Sequence, residues 1–273
     1  MNLFNQITKP LVMGILNVTP DSFSDGGKFS EVATAVIQAQ LMVNQNVDII
    51  DIGGESTRPN SKSVSAAEQI KRVVPVIKAI RKQVSSSVAI SIDTTLSIVA
   101  EAALNAGATI INDISAGLQD DAIFTLAAKR NVPIILMHIQ GNPQTMQEAP
   151  YYDDVVAEVK NHLQQRIEIA LSMGVAKHNI GIDVGIGFGK RREDNLALLA
   201  HLEEFVALGY PVLLGTSRKR FMGSLCQVDE PQELVTATAV TTALGVMQGV
   251  QLFRVHDVLE NKQAVDVAWA IKT

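Results

Sequence analysis

Residues 88–115 read VAISIDTTLSIVAEAALNAGATIINDIS, and this stretch decides the fold. A β-branched run, Val88–Thr94, leads into a segment of helical periodicity, Leu96–Asn105, and then into a second β-branched run, Thr109–Ser115. That is one strand–helix–strand unit with parallel strands. Working outward, the same unit recurs about every thirty residues, the size of one βα element. The other strand candidates are Leu11–Val18, Asp48–Gly53, Pro133–Ile139, Ile180–Gly185, Pro211–Ser217 and Leu252–Asp257. Helices are predicted near Glu31–Asn44, Asp120–Lys129, Asp153–Met173, Asn195–Leu208, Pro231–Gln248 and Asn261–Lys272. One more follows Ser65, where Glu68 gives a capping-box spacing ahead of Ile70, Val73, Val74 and Ile77; Pro75 predicts a kink in it. Eight such units favour closure of the sheet over an open doubly wound arrangement. The fold expected is α/β, a single (β/α)8 TIM barrel of parallel strands within an outer ring of helices, one domain over residues 1–273.

Composition excludes several classes of function. The 273 residues are 47% hydrophobic, enough to bury one large core. Basic residues number 23 and acidic ones 28, a net charge of -5, which provides no footprint for nucleic acid or an anionic membrane. Any anion must be bound locally. No apolar run approaches the ~18 to 20 residues of a membrane span, and Met1–Lys9 lacks the apolar stretch of a signal peptide. The lone cysteine, Cys226, excludes an internal disulfide and suits a reducing compartment; it reads as structural filler. These features predict a cytoplasmic protein.

In barrels of this kind the loops after the strands build the site, so polar strand ends should converge on one pocket. The ends carry Asn17, Glu55, Asp93, Asn112, His138, Asp183, Lys219 and the pair Arg254 and His256. Three loops hold unusual residues. Asn17–Gly27 is polar and turn-rich. Gly53–Asn60 joins adjacent glycines to Arg58, a planar cation. Gly185–Lys190 reads GIGFGK, and its G-x-G-x-G spacing followed by basic residues makes a dinucleotide fingerprint a poor description. Glycines there let the chain clear a flat ligand, with Phe188 offering a ring face. The plainer readings are an exposed loop for the first two and a solvated charge run for Lys190–Arg192.

At these positions the chain resembles the dihydropteroate synthases over essentially its whole length. The matching segments are MGILNVTPDSFSDGG (Met13–Gly27), DIGGESTRP (Asp51–Pro59), SIDT (Ser91–Thr94), INDI (Ile111–Ile114), LMH (Leu136–His138), GIGFGK (Gly185–Lys190), SRK (Ser217–Lys219) and RVHD (Arg254–Asp257). The resemblance implies a folate-pathway transferase that joins p-aminobenzoate to a dihydropterin methyl diphosphate and releases pyrophosphate with magnesium present. It implies sulfonamides as inhibitors and a homodimer. It also implies a set of site residues: Asn17 for magnesium; Asp93 and Lys219 in catalysis; Thr57, Arg58, Pro59, Asp93, Asn112, Met137, Asp183, Gly187, Phe188, Ser217, Lys219, Arg254 and His256 for the substrates.

Residue chemistry fits those assignments. A pterin edge presents donors and acceptors in a fixed pattern, and Asp93, Asn112 and Asp183 offer carboxylate acceptors and an amide. Along its strand Asn112 shares a face with Ile110 while Asp113 points the other way, so only one of the polar pair faces the pocket. The resemblance selects Asn112; Asp113 is left to the barrel wall or a helix end. Arg254 and His256, two apart, can both reach a diphosphate, and Ser217 and Lys219 stand in the same relation. Each has a plainer reading, as a helix cap, a structural histidine or a solvent lysine. Phe188, Pro59 and Phe23 are candidate apolar walls. The inferred mechanism is substitution at the pterin methylene, with the bond to diphosphate breaking largely before the amine attacks and the mobile loops closing after the pterin binds.

Three departures from the family stand near the site: Val184 where proline is usual, Asn60 where glycine is common, and Arg220 where a small residue is more usual. The weakly charged segment Thr236–Leu244 predicts a helix buried on most sides and used in a subunit interface. Two other functions are open: a pterin-binding methyltransferase barrel, disfavoured by Lys219, Arg254 and His256 together, and a non-catalytic pterin-binding paralogue, disfavoured by Asn17 and Thr57.

Overall fold

A computed structural model describes residues 3–19, 28–56, 61 and 63–273 of the chain. The eight predicted strands are all present, and they hydrogen-bond in sequence order into a closed parallel barrel. They are β1 (Leu11–Asn17), β2 (Ile49–Gly53), β3 (Ala89–Asp93), β4 (Ile110–Asp113), β5 (Ile134–Met137), β6 (Ile180–Asp183), β7 (Val212–Leu214) and β8 (Leu252–Val255). All eight are shorter than the β-branched runs suggested, because residues at the run ends leave the ladder to form the loops. The helices around them are α1 (Lys28–Asn44), α2 (Ala66–Gln83), α3 (Ser97–Ala106), α4 (Ala122–Arg130), α5 (Val155–Ser172), α6 (Arg192–Ala200), α7 (Leu202–Val206), α8 (Arg220–Cys226), α9 (Val235–Met247) and α10 (Val258–Lys272).

Successive strand residues point to opposite faces, and here the two faces have different tasks. Outward residues such as Val12, Leu16, Ile50, Ile52, Ile90 and Ile92 are buried under the helices in the main core. Inward residues form layers. The lowest is apolar: Met13, Ile49, Ile110, Ile135, Leu213 and Leu252 pack around Phe4 from an N-terminal 3-10 turn, Leu3–Gln6. Gly181 of β6 belongs to this layer, and a Cβ there would stand 3.0 Å from the Phe4 ring. Phe4 thus fills the interior in place of a side chain from β6.

One layer up the interior turns polar. Ile15 lies opposite Asp51, Asp51 opposite Ser91, and Met137 opposite Asp183. Two residues above Leu252 on β8 is Arg254, and two above Ile110 on β4 is Asn112. Period-two alternation therefore carries these groups from an apolar floor toward the C-terminal ends of the strands.

Several details differ from expectation. α2 runs unbroken through Pro75, and Ser65 caps it by accepting from Glu68 N, while the Glu68 carboxylate pairs with Lys71 and Arg72 instead of completing the box. The predicted helix Asn195–Leu208 is two helices, broken at His201. Gln248 compensates the break, accepting from Leu202 N at 3.0 Å and donating to Leu199 O at 2.8 Å. A short helix, α8, appears where none was predicted, and Cys226 at its end is exposed rather than filling the core. α9 begins after a separate 3-10 turn, Pro231–Glu233. It buries Thr238, Thr242, Gly245 and Val246 but leaves Val240, Leu244 and Met247 about half exposed, so it is not enclosed on most sides.

Candidate active site

The polar layer centres on Arg254. Its guanidinium donates from Nε to Asp51 Oδ2 and from Nη2 to Asp93 Oδ2, each at 2.6 Å. Asn112 Nδ2 reaches the same Asp51 oxygen at 3.4 Å. Two buried carboxylates share one cation. Burial opposes the charge on Arg254, but Asp51 and Asp93 more than offset it and hold the guanidinium firmly protonated. Asp93 is pushed up to about 7, first by burial and then by the Asp51 carboxylate, against the pull of Arg254. Asp51 Oδ1 and Ser91 Oγ are buried without a hydrogen-bond partner among the described residues, polar atoms of the sort an internal water satisfies.

Glycines open the space above this layer. A Cβ at Gly53 would lie 3.6 Å from Asn17 Oδ1 and 3.7 Å from Asp93 Oδ2, and one at Gly215 would stand 3.9 Å from Asp183 Oδ2 and from Arg254 Cβ. Asn17 and Asp93 therefore flank one bare stretch of wall, Asp183 and Arg254 another. Asp183 accepts from Gly185 N at 2.7 Å and is raised by burial, with Lys219, Arg254 and Lys190 drawing it down.

The ends of β7 and β8 supply the remaining donors. Ser217 Oγ bonds His256 Nδ1 at 3.0 Å and accepts from His256 N at 3.0 Å. Arg218, held at a left-handed φ of 57°, forms a two-pronged pair with Asp257 at 3.0 and 2.5 Å. This strap joins the two loops and places Ser217 and Lys219 on either side of it. Lys219 donates to Ile186 O and sits 4.1 Å above the Phe188 ring. Burial pulls its ammonium down to about 7, opposed by Asp183.

Apolar contacts complete the rim. Phe188 packs with Met137, Ile114, Ile139 and Met146. Gly185 and Gly189 have positive φ, and a Cβ on either would meet the carbonyls of His138 and Gln140 at 1.8 and 2.3 Å. The G-x-G-x-G spacing is the price of laying this loop flat against the one after β5.

The structure thus brings Asn17, Asp93, Asn112, Met137, Asp183, Gly187, Phe188, Ser217, Lys219, Arg254 and His256 to one end of the barrel. Thr57, Arg58, Pro59, Asn60, Phe23 and the loop from Pro20 to Gly27 lie outside the described residues. Two strand-end groups do not join the site. His138 follows Met137 and so points outward, where it meets His162 at 4.8 Å between ring centres. Glu55 instead closes the base of its loop, accepting from Val64 N and Gln69 Nε2 at 2.9 and 2.8 Å. Asp113 likewise points outward, accepting from Ser115 N, Ser115 Oγ and Gly117 N. Lys190 is not a solvated charge: it is 3% exposed. Arg220 is exposed, and Val184 is fully buried. Asp51 and Ser91 were missed by sequence reading, although their alternation with Ile50 and Ile92 marks them as inward.

Such a closed barrel, with buried polar side chains and cations gathered at one end, places the chain among the (β/α)8-barrel enzymes. The family described as pterin binding enzyme matches residues 13–256. The chain is 45% identical to the dihydropteroate synthase of Synechocystis sp., covering 98% of this chain and 92% of that protein. Among solved structures, Yersinia pestis dihydropteroate synthase with a sulfonamide drug has a TM-score of 0.91 at 43% identity, covering 98% of this chain and 96% of that one. Xanthomonas albilineans dihydropteroate synthase with 4-aminobenzoic acid also has a TM-score of 0.91, at 42% identity over 98% of this chain and 94% of that one. The chain belongs to the dihydropteroate synthases.

Proposed function

We propose that this chain joins p-aminobenzoate to dihydropterin methyl diphosphate, releasing dihydropteroate and pyrophosphate, and that the residues gathered at the barrel mouth carry the reaction. The observation that carries the reading is the gathering of Asp93, Asn112 and Asp183 around Arg254, with Lys219, Ser217 and His256 on the loops at the ends of β7 and β8. Asp93, Asn112 and Asp183 hold the pterin edge by hydrogen bonds, with Met137 and Gly187 against its faces. Ser217, Arg254 and His256 hold the diphosphate. Phe188, with Thr57, Arg58 and Pro59, shapes the arylamine site.

The bond from the pterin methylene to the diphosphate oxygen breaks, and its electron pair leaves with pyrophosphate. Arg254 and His256 stabilise that developing charge. Asp93 stabilises the cation left on the pterin, and Lys219 hydrogen-bonds the ring and borders the second substrate. The arylamine nitrogen then forms the new bond to the methylene and passes one proton to water. No covalent enzyme intermediate is needed. Asn17 fits a magnesium ion through its Oδ1, which faces the bare wall at Gly53 beside Asp93. A hard cation held there would take its other ligands mainly from phosphate oxygens and water. When bound, magnesium neutralises charge on the departing pyrophosphate.

The Yersinia pestis relative holds a sulfonamide drug, and such arylamine analogues should compete with p-aminobenzoate here. Val240, Leu244 and Met247 form an apolar stripe at helical spacing on α9, and we assign it to a homodimer interface. Among the described residues no helix is long and apolar enough to cross a membrane, and the exposed thiol of Cys226 suits the cytoplasm.

A pyrophosphate-release assay with dihydropterin methyl diphosphate, p-aminobenzoate and magnesium tests the reading. Release should require p-aminobenzoate and fall on the order of 100-fold or more in Lys219→Ala. Pterin binding without release would instead mark a non-catalytic paralogue. The pterin should bind first, and binding of p-aminobenzoate without pterin or pyrophosphate would overturn that order.

A further inference from the structure

The loop Gly185–Lys190 is held at every carbonyl from residue 186 to 190 by a side chain. Ile186 O accepts from Lys219, Gly187 O from Gln147 at 3.0 Å, Phe188 O from Lys190 at 3.0 Å, Gly189 O from Tyr152 at 2.7 Å and Lys190 O from Asn195 at 3.4 Å. Of these donors only Lys190 belongs to the loop itself. Its ammonium is buried and also meets His138 Nδ1 at 2.9 Å.

Nothing about packing requires an ammonium there. Lys190 is buried and, among the described residues, has no carboxylate within hydrogen-bond reach, whereas a methionine would fill the same space without desolvating a charge. Burial pulls Lys190 down to about 7, although Asp183 and Asp194 lie near enough to favour its charge and Lys219 disfavours it. Burial likewise holds His138 neutral, so its Nδ1 is available to accept. What the ammonium adds is two hydrogen bonds, one of them to the backbone of Phe188.

We propose that Lys190 is a positioning residue for the arylamine site: it ties the Phe188 carbonyl to His138 and thereby fixes the Phe188 ring against Lys219. It touches neither substrate. The proposal rests on the assignment of Phe188 and Lys219 to the arylamine pocket. It separates the two substrates by contact: its hydrogen bonds go to Phe188 and His138 and to none of Asp93, Asn112 and Asp183, and Asp183 feels it only through charge.

The full chain is assayed for p-aminobenzoate-dependent pyrophosphate release, with pterin diphosphate affinity measured separately by calorimetry. Turnover by the wild-type enzyme checks the functional assignment before any variant is read. Lys190→Met should raise KM for p-aminobenzoate about tenfold, the size of one hydrogen bond to a charged donor, with kcat and pterin affinity changed less than about twofold. In a Phe188→Ala background the same change should add less than about twofold, since its effect acts through that ring. An unchanged KM, an equal loss of pterin affinity, or full additivity with Phe188→Ala overturns the proposal. If Lys190→Met does not fold, His138→Leu decides: it removes the second acceptor, and a selective rise in the same KM supports the assignment while an unchanged KM refutes it.

Discussion

Arg254 is asked to serve two buried carboxylates at once, and the consequence falls on Asp93. Its carboxyl is raised to about 7 by burial and by Asp51, so ionising it in the folded protein is unfavourable. The sign follows from linkage: below the unfolded carboxylate pKa the penalty is absent, and it grows as pH rises toward about 7. Asp93→Asn should therefore raise stability by on the order of 1 kcal/mol at pH 8, visible as a higher melting temperature, with little change at pH 4. The same variant should lose about 100-fold or more in pyrophosphate release, because the amide cannot stabilise the pterin cation. A melting temperature that falls at pH 8 would show that the Arg254 pair outweighs the burial penalty.

At the scale of elements, loop geometry depends on a few glycines and on strand alternation. Gly185→Ala places a methyl 1.8 Å from His138 O at a backbone with φ of 68°. Denaturant unfolding should register a loss of roughly 3 kcal/mol or more, with p-aminobenzoate affinity falling as Phe188 shifts. The strands were legible in the sequence because β-branched runs and helical periodicity are local signals. Their inward and outward faces were legible only in part. Alternation was applied to Asn112 and Asp113, and it held: Asp113 organises the turn to Gly117. Applied to Met137 and His138 it would have sent His138 behind the barrel, and applied to DIGG it would have found Asp51. The break at His201 and the partners of Lys190 had no local signal. Each depends on a side chain from a distant segment, Gln248 in one case and His138 in the other.

For the whole molecule, two surfaces set behaviour that no single residue does. The stripe of Val240, Leu244 and Met247 on α9 exposes apolar area of a kind that association covers. Leu244→Asp should shift the sedimentation equilibrium from dimer to monomer, and a mass that stays dimeric would place the interface elsewhere. The second surface is internal. Phe4 and the six side chains packed on it close one end of the barrel, leaving a cup with a single mouth. In a cup the first molecule in is the last one out. On the proposed reading a pterin seated on the polar layer departs only after whatever lies above it has gone, so an arylamine should lengthen its residence without touching its hydrogen bonds. Stopped-flow release of a pre-bound pterin should slow as a sulfonamide is added, reaching a plateau at saturation; a release rate indifferent to the drug would mean that the pterin has another way out.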